Sequence, residues 1–168
     1  MSSPTRLELT AALNRAMRDA SARGVLYSQA VAERLKIASA DLECLDLIAL
    51  RGPMPAGALA EAIGLTSGAI TGLIDRLERA GLARRERSRE DRRKVMVRLL
   101  PAVERRVAPL FGPMERAAMG ALAGYSDEEL ELLLDFFRRA SEAATVALNE
   151  LRNQERPSSA SRRRPSAD

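Results

Sequence analysis

The sequence predicts a mainly α-helical chain with one small β-hairpin. Three observations carry that expectation. Residues 58–99 read as helix, tight turn, helix and then two short extended runs around a basic segment. Long helical patterns flank this stretch on both sides, over about 5–36 and 127–151. Nearly half of the 168 residues are apolar (46%) but only 3% are aromatic, so a core must be built from Leu, Ile, Val, Ala and Met. One domain over 1–152 is the default for this length, with a separate tail over 153–168.

The central stretch is the most informative. ALAEAI at 58–63 is a short helix, and Gly64-Leu65 a turn. The Thr66 hydroxyl suits an N-cap, because it can accept from an N–H that the next helix leaves unpaired. That helix runs over Ser67–Ala80, with Ile70, Leu73, Ile74 and Leu77 on one face. Gly81 is a stop that tolerates positive φ. Extended runs follow at 82–87 and 95–99, with SREDRRK between them. Together with a preceding helix, residues 39–100 make a winged helix-turn-helix. In that arrangement the second helix fits a major groove and the hairpin reaches the flanking backbone or minor groove.

The segment RLERAGLARR, followed by REDRRKVMVRL, resembles the winged-helix signature of the MarR-type transcriptional regulators. The resemblance is strongest over 53–100 and extends more softly over about 5–150. It implies a homodimer whose long terminal helices, here 5–36 and 127–151, form the interface. It also implies a small-molecule effector site between those helices and the DNA-binding lobe, which would draw on Leu26, Tyr27, Val31, Leu42, Leu45 and Phe111. Each of these residues also reads as ordinary core.

The outer elements follow from local signals. Thr5 and Glu8 form a capping box for the first helix, which Gly24 should weaken or bend. Ser39 is placed to cap a second helix, 40–50, that is apolar nearly all round and therefore central. RGPMPAG breaks the pattern; the resemblance implies a very short strand here, whose pairing Pro53 and Pro55 would limit. Pro101 opens a further helix, with a kink expected near 109–113 from Pro109, Gly112 and Pro113. Leu100 stands where the resembling family usually has a Thr that could cap this helix. Ser126 and Glu129 form a second capping box. The helix after it is too apolar for a single buried stripe, because Leu132 and Phe136 widen the face made by Leu130, Leu133, Leu134 and Phe137. This extra width suggests a two-fold interface. The tail QERPSSASRRRPSAD is expected to be disordered and basic.

Charge is distributed unevenly. Residues 75–98 carry ten Arg or Lys against five acids, and 127–155 three against eight. Positive charge therefore gathers on the hairpin, as a phosphate-contacting surface requires. The single cysteine, Cys44, excludes an internal disulfide and fits a reducing compartment. It sits in an apolar helix beside Glu43 and Asp46, which argues for an inert buried thiol rather than a sensor. No signal peptide or span-length apolar run is apparent, so a cytoplasmic location is expected. With no histidine in the chain, histidine-based metal sites and Ser-His or Cys-His catalysis are excluded. No nucleophile–base set is visible, and neither an enzymatic activity nor a metal or other cofactor is expected.

The candidate DNA contacts fall in two groups. On the second helix of the motif, Ser67, Gly68, Thr71 and Gly72 face away from the core at the N-terminal end. They are small, and no Arg, Lys, Asn or Gln lies between Thr66 and Asp75 to read guanine or adenine bidentately. Arg87, Arg89, Arg92, Arg93 and Lys94 make up the hairpin group. The resemblance singles out Arg92 for minor-groove insertion and has Asp91 orient the wing through a salt bridge, to Arg76 or another arginine. The expected function is a sequence-specific double-stranded DNA-binding regulator, a homodimeric repressor relieved by a ligand and bound to a pseudo-palindromic site. An architectural DNA-binding protein with little sequence choice is the alternative.

Overall fold

The structure, a computed structural model, describes residues 3–88, 91 and 94–154. In chain order the elements are α1 (Arg6–Leu35), α2 (Ser39–Arg51), β1 (Met54–Pro55), α3 (Ala56–Ile63), α4 (Ser67–Arg79), β2 (Ala83–Arg87), β3 (Val95–Leu99), α5 (Ala102–Arg106), α6 (Ala108–Leu122) and α7 (Asp127–Gln154). The chain divides into two compact units that meet in the sequence at Glu115 and Arg116.

The first unit holds the core, in which Leu42, Leu45, Leu59, Leu73, Ile74, Leu77, Leu82 and Val97 are almost fully enclosed. These residues come from α2, α3, α4 and the hairpin, so the helix-turn-helix and wing share one apolar centre. The expected capping box closes the start of α1: the Glu8 N–H donates to Thr5 Oγ1, and the Thr5 N–H to Glu8 Oε2. Gly24 does not interrupt α1, because the helix supplies its backbone partners on both sides. Helix α2 begins one residue earlier than expected, so Ser39 is its first residue and not its cap. The capping work is done in reverse, with the Asp41 carboxylate accepting from the Ala38 N–H at 3.3 Å.

The three strands form an antiparallel sheet in the order β1-β3-β2. Residues 83–87 pair with 99–95 along the hairpin, which sets Arg85 opposite Val97. β1 contributes only the pairs Met54–Val97 and Pro55–Met96. Proline lacks the N–H that would continue the ladder, so the pairing stays as short as the sequence suggests. The next helix is broken at Val107, slightly before the expected kink. Pro109 then falls in the first turn of α6, where a missing N–H costs no helical bond, and Pro113 lies inside the helix.

The second unit consists of the end of α6 and α7. Ser126 and Glu129 exchange the two hydrogen bonds of the expected box at the start of α7. Helix α7 reaches Gln154, past the expected end near 151, while the rest of the basic tail, Arg162–Arg164 included, lies outside the described residues. Leu132 and Phe137 are 69% and 59% exposed, and Leu134, Phe136, Val146 and Leu151 are exposed as well.

Candidate nucleic-acid interface

The site is built on α4. Thr66 caps it as expected, its hydroxyl accepting from the Ala69 N–H at 3.3 Å. Gly64 and Gly81, the turn and stop glycines, adopt φ of 85° and 68°. Ile70, Leu73, Ile74 and Leu77 are buried, so packing fixes the rotation of the helix about its axis. Ser67, Gly68 and Thr71 are left exposed and Gly72 half-exposed. An added Cβ would meet nothing within 4 Å at Gly68, and at Gly72 only Arg76 Nη1 at 4.0 Å. The outward face is thus bare at its N-terminal end. The Thr71 hydroxyl donates to the Ser67 carbonyl at 2.8 Å, so its one proton is used and the exposed side chain has only acceptor capacity and its methyl group left to offer.

The wing lies beside this helix and is fastened to it by Arg85, which in the sequence is one hairpin cation among many. Its guanidinium forms ion pairs with Glu78 and with Asp75, the latter at 2.8 Å, and donates to the Thr71 carbonyl at 3.2 Å. Its own backbone N–H donates to Glu78 Oε1 at 2.7 Å. Nothing in the composition of the hairpin marks Arg85 off from its neighbours. The acids that select it, Asp75 and Glu78, lie in the last two turns of α4. Glu86 holds Arg98 at 2.6 Å and Arg84 at 3.1 Å, so these two cations are also paired. Arg87 and Lys94 remain exposed on the hairpin. Arg89, Arg92 and Arg93 lie outside the described residues.

Arg76, one of the partners expected for Asp91, is engaged elsewhere. Arg76 turns the other way, to Asp41 on α2, giving Nε to Oδ2 at 3.1 Å and Nη2 to Oδ1 at 2.6 Å. Asp41 is only 2% exposed, and a buried carboxylate draws a nearby guanidinium strongly. That bond raises the pKa of Arg76 further. Asp91 instead lies 4.0 Å from Lys94, and its backbone N–H donates to Ser88 Oγ. At the far end of α4, Arg106 from α5 donates to the Ala80 carbonyl at 2.8 Å and so closes the helix C-terminus.

Five of the six residues named for an effector site do come together. Val31, Leu42 and Leu45 are buried in one cluster, against which Tyr27 and Phe111 pack. The rings of Tyr27 and Phe111 are 5.9 Å apart, and the Tyr27 hydroxyl donates to the Leu110 carbonyl at 2.6 Å. Leu26 points away and is 65% exposed. Leu45 and Phe111 line a cavity of about 370 Å³, together with Val103, Val107 and the carboxylates of Asp46 and Glu115. Burial, and secondarily Glu43, raises the pKa of Asp46. Cys44 is fully buried, and its thiol is pushed up to about 11 by burial first and then by Asp41, not by the acids adjacent in sequence.

A helix with a bare outward face, locked by rotation-fixing core contacts and flanked by a basic hairpin, defines a winged helix-turn-helix DNA-binding protein. Comparison with known proteins narrows the class. Residues 37–95 match the MarR family model. The chain is 36% identical over 148 residues to an uncharacterized HTH-type transcriptional regulator of Bacillus subtilis, YcgE, covering 88% of this chain and 96% of that protein. The fold is similar to that of a MarR family protein from Bacillus stearothermophilus (TM-score 0.62, 24% identity, 84% of this chain and 99% of that one). It is similar too to a MarR family regulator from Silicibacter pomeroyi (TM-score 0.61, 19% identity, 83% and 94%). The chain belongs to the MarR family: it is a DNA-binding transcriptional regulator and not an enzyme. No single helix among the described residues is long and apolar enough to cross a membrane.

Proposed function

We propose that this regulator works as a homodimeric repressor on a pseudo-palindromic DNA site and that a small molecule releases it. The observation that carries the DNA half of this reading is the outward face of α4. Ser67, Gly68, Thr71 and Gly72 let the helix approach the base edges closely, with the Thr71 methyl set against a thymine methyl. Because so few long side chains are available there, groove shape and the wing carry much of the specificity. Arg87 and Lys94 supply phosphate contacts, and the sequence places Arg89, Arg92 and Arg93 in the same loop, with Arg92 entering the minor groove. Asp91, beside Lys94, orients that loop rather than facing phosphate.

The dimer is supported by the long exposed apolar faces: Leu9, Leu13 and Met17 on α1, and Leu132, Phe136 and Phe137 on α7. The effector site is supported by the cavity at Leu45 and Phe111, whose size falls within the range of small-molecule sites. Asp46 and Glu115 among its lining residues disfavour an anion there.

The test is binding of the full chain to the DNA upstream of its own coding region, against excess competitor duplex, over a salt series. A discrete complex that survives competitor and protects a two-fold symmetric site supports a dimeric specific regulator. Weak binding that competitor removes, there and across a genome-wide selection of bound fragments, would promote the architectural alternative. Thr71→Ala is expected to change sequence preference. Arg92→Ala is expected to weaken binding and reduce the salt slope by about one, the value for a single phosphate.

A further inference from the structure

The face of α4 that carries Gly68 and Gly72 continues past the residues assigned above. At about 100° per residue, Arg79 returns to within roughly 20° of Gly68 and lies roughly 16 Å further along the helix axis. There it borders a cleft of about 280 Å³ that is also lined by Lys36, Ala38, Asp41 and Arg76. Three cations and one carboxylate meet in this cleft, and the carboxylate is already taken, since Asp41 is held by Arg76 through two hydrogen bonds. The other acids on this part of α4, Asp75 and Glu78, are both bound by Arg85. Arg79 donates Nε to the Asp75 carbonyl but has no carboxylate partner among the described residues. Lys36 has none either, although Glu33 lies one turn before it on α1.

Lys36 is also the only described non-glycine residue with positive φ, at 57°, in the left-handed C-cap position of α1 that glycine fills without steric cost. A lysine thus stands where the backbone alone would favour glycine.

We propose that Lys36 and Arg79 form a clamp for a DNA backbone phosphate, separate from both the wing and the N-terminal turns of α4. The ligand class is the phosphodiester of a duplex strand at the edge of the major groove. That groove is only about 12 Å wide, so a helix entering by its first turns brings its fourth turn to the bordering strand. The clamp rests on the groove placement of α4 proposed above. Two cations without acid partners among the described residues, lining one concavity, are what a phosphate contact requires, and such contacts fix register without reading sequence.

The experiment uses the full chain and a random-sequence duplex over a salt series, with Lys36→Gly, Arg79→Gln and the double variant. Each single variant is expected to weaken binding roughly fivefold at moderate salt, and to lower the slope of log K against log salt by about one for each phosphate released. Lys36→Gly relieves the left-handed backbone, so its melting temperature should not fall, and a loss of affinity cannot be put down to unfolding. Lys36→Arg should keep the wild-type slope. Unchanged slopes in both single variants would overturn the clamp. So would a double variant that no longer gains thermal stability from inorganic phosphate yet keeps its DNA slope, which would make the cleft a small-anion site. Thr71→Ala, run alongside, separates the two readings. A change in sequence preference at constant slope supports the groove placement of α4. No change, with the slopes of the cleft variants still reduced, would sink direct readout by Thr71 and leave the clamp standing as a DNA contact.

Discussion

Arginines in and around the hairpin look alike in the sequence but have different tasks in the folded chain. Arg85 is internal structure: it joins β2 to α4 through Asp75, Glu78 and the Thr71 carbonyl. Because the last of these lies on the turn proposed to face the groove, Arg85 sets the angle between α4 and the wing. Arg85→Gln is expected to cost about 1–2 kcal/mol of stability, since several partly buried charge-assisted bonds disappear at once. It should also lower DNA affinity by more than the removal of one exposed cation would, which a comparison with Arg87→Gln in the same binding assay would reveal. Equal losses in the two variants would reduce Arg85 to one more surface charge. The bare face of α4 was legible in the sequence, because helical periodicity alone separates Ile70, Leu73, Ile74 and Leu77 from Ser67, Gly68 and Thr71. The partner of Arg76 was not. Asp41 lies 35 residues away on another helix, and its burial follows from the way α2 packs and not from any local pattern.

Among the elements, boundaries marked by hydrogen-bonding side chains were the easiest to read. Thr5 with Glu8, Thr66, and Ser126 with Glu129 all mark helix starts found within a residue of expectation, because capping chemistry is local. Ser39 misled for a related reason. A serine at a helix start is a reasonable cap, but Asp41 two residues later already accepts the Ala38 N–H and needs α2 to begin one residue sooner. The break at Val107 was displaced because a proline is tolerated in a first turn, so Pro109 starts α6 and does not bend it. The cap at Thr66 bears most directly on the proposed interface, since it orders the turn that holds Ser67 and Gly68. Thr66→Ala should cost about 1 kcal/mol, read as a lower melting temperature. It should also weaken specific DNA binding, whereas Thr66→Ser should keep most of both. A Thr66→Ala protein with lowered stability but intact operator binding would mean that the first turn of α4 is not a contact surface.

For the whole molecule, the outstanding feature is apolar surface left uncovered within each unit. In the second unit Leu132, Leu134, Phe136, Phe137, Val146 and Leu151 are exposed along one helix, and Phe136 and Phe137 stack edge-on, 5.4 Å apart, without being buried. In the first, the N-terminal half of α1 presents Leu7, Leu9, Leu13 and Met17 in the same way. A helix so furnished gains free energy only by finding a second surface, at about 25 cal/mol for each Å² of apolar area removed from water. A second copy offers the same faces under two-fold symmetry, which is the arrangement a pseudo-palindromic site requires. Replacing Leu132 and Phe136 together by Glu leaves the core of the first unit untouched, because neither residue belongs to it. The expected result is a protein with a folded winged helix-turn-helix that sediments as a monomer. Binding to a two-half-site duplex should then fall by orders of magnitude, because the second half-site no longer benefits from the first. Binding to random duplex, counted per protomer, should change little, since the phosphate contacts stay on each protomer. A double variant that remains dimeric in sedimentation would remove α7 from the interface and leave α1 as the helix to test.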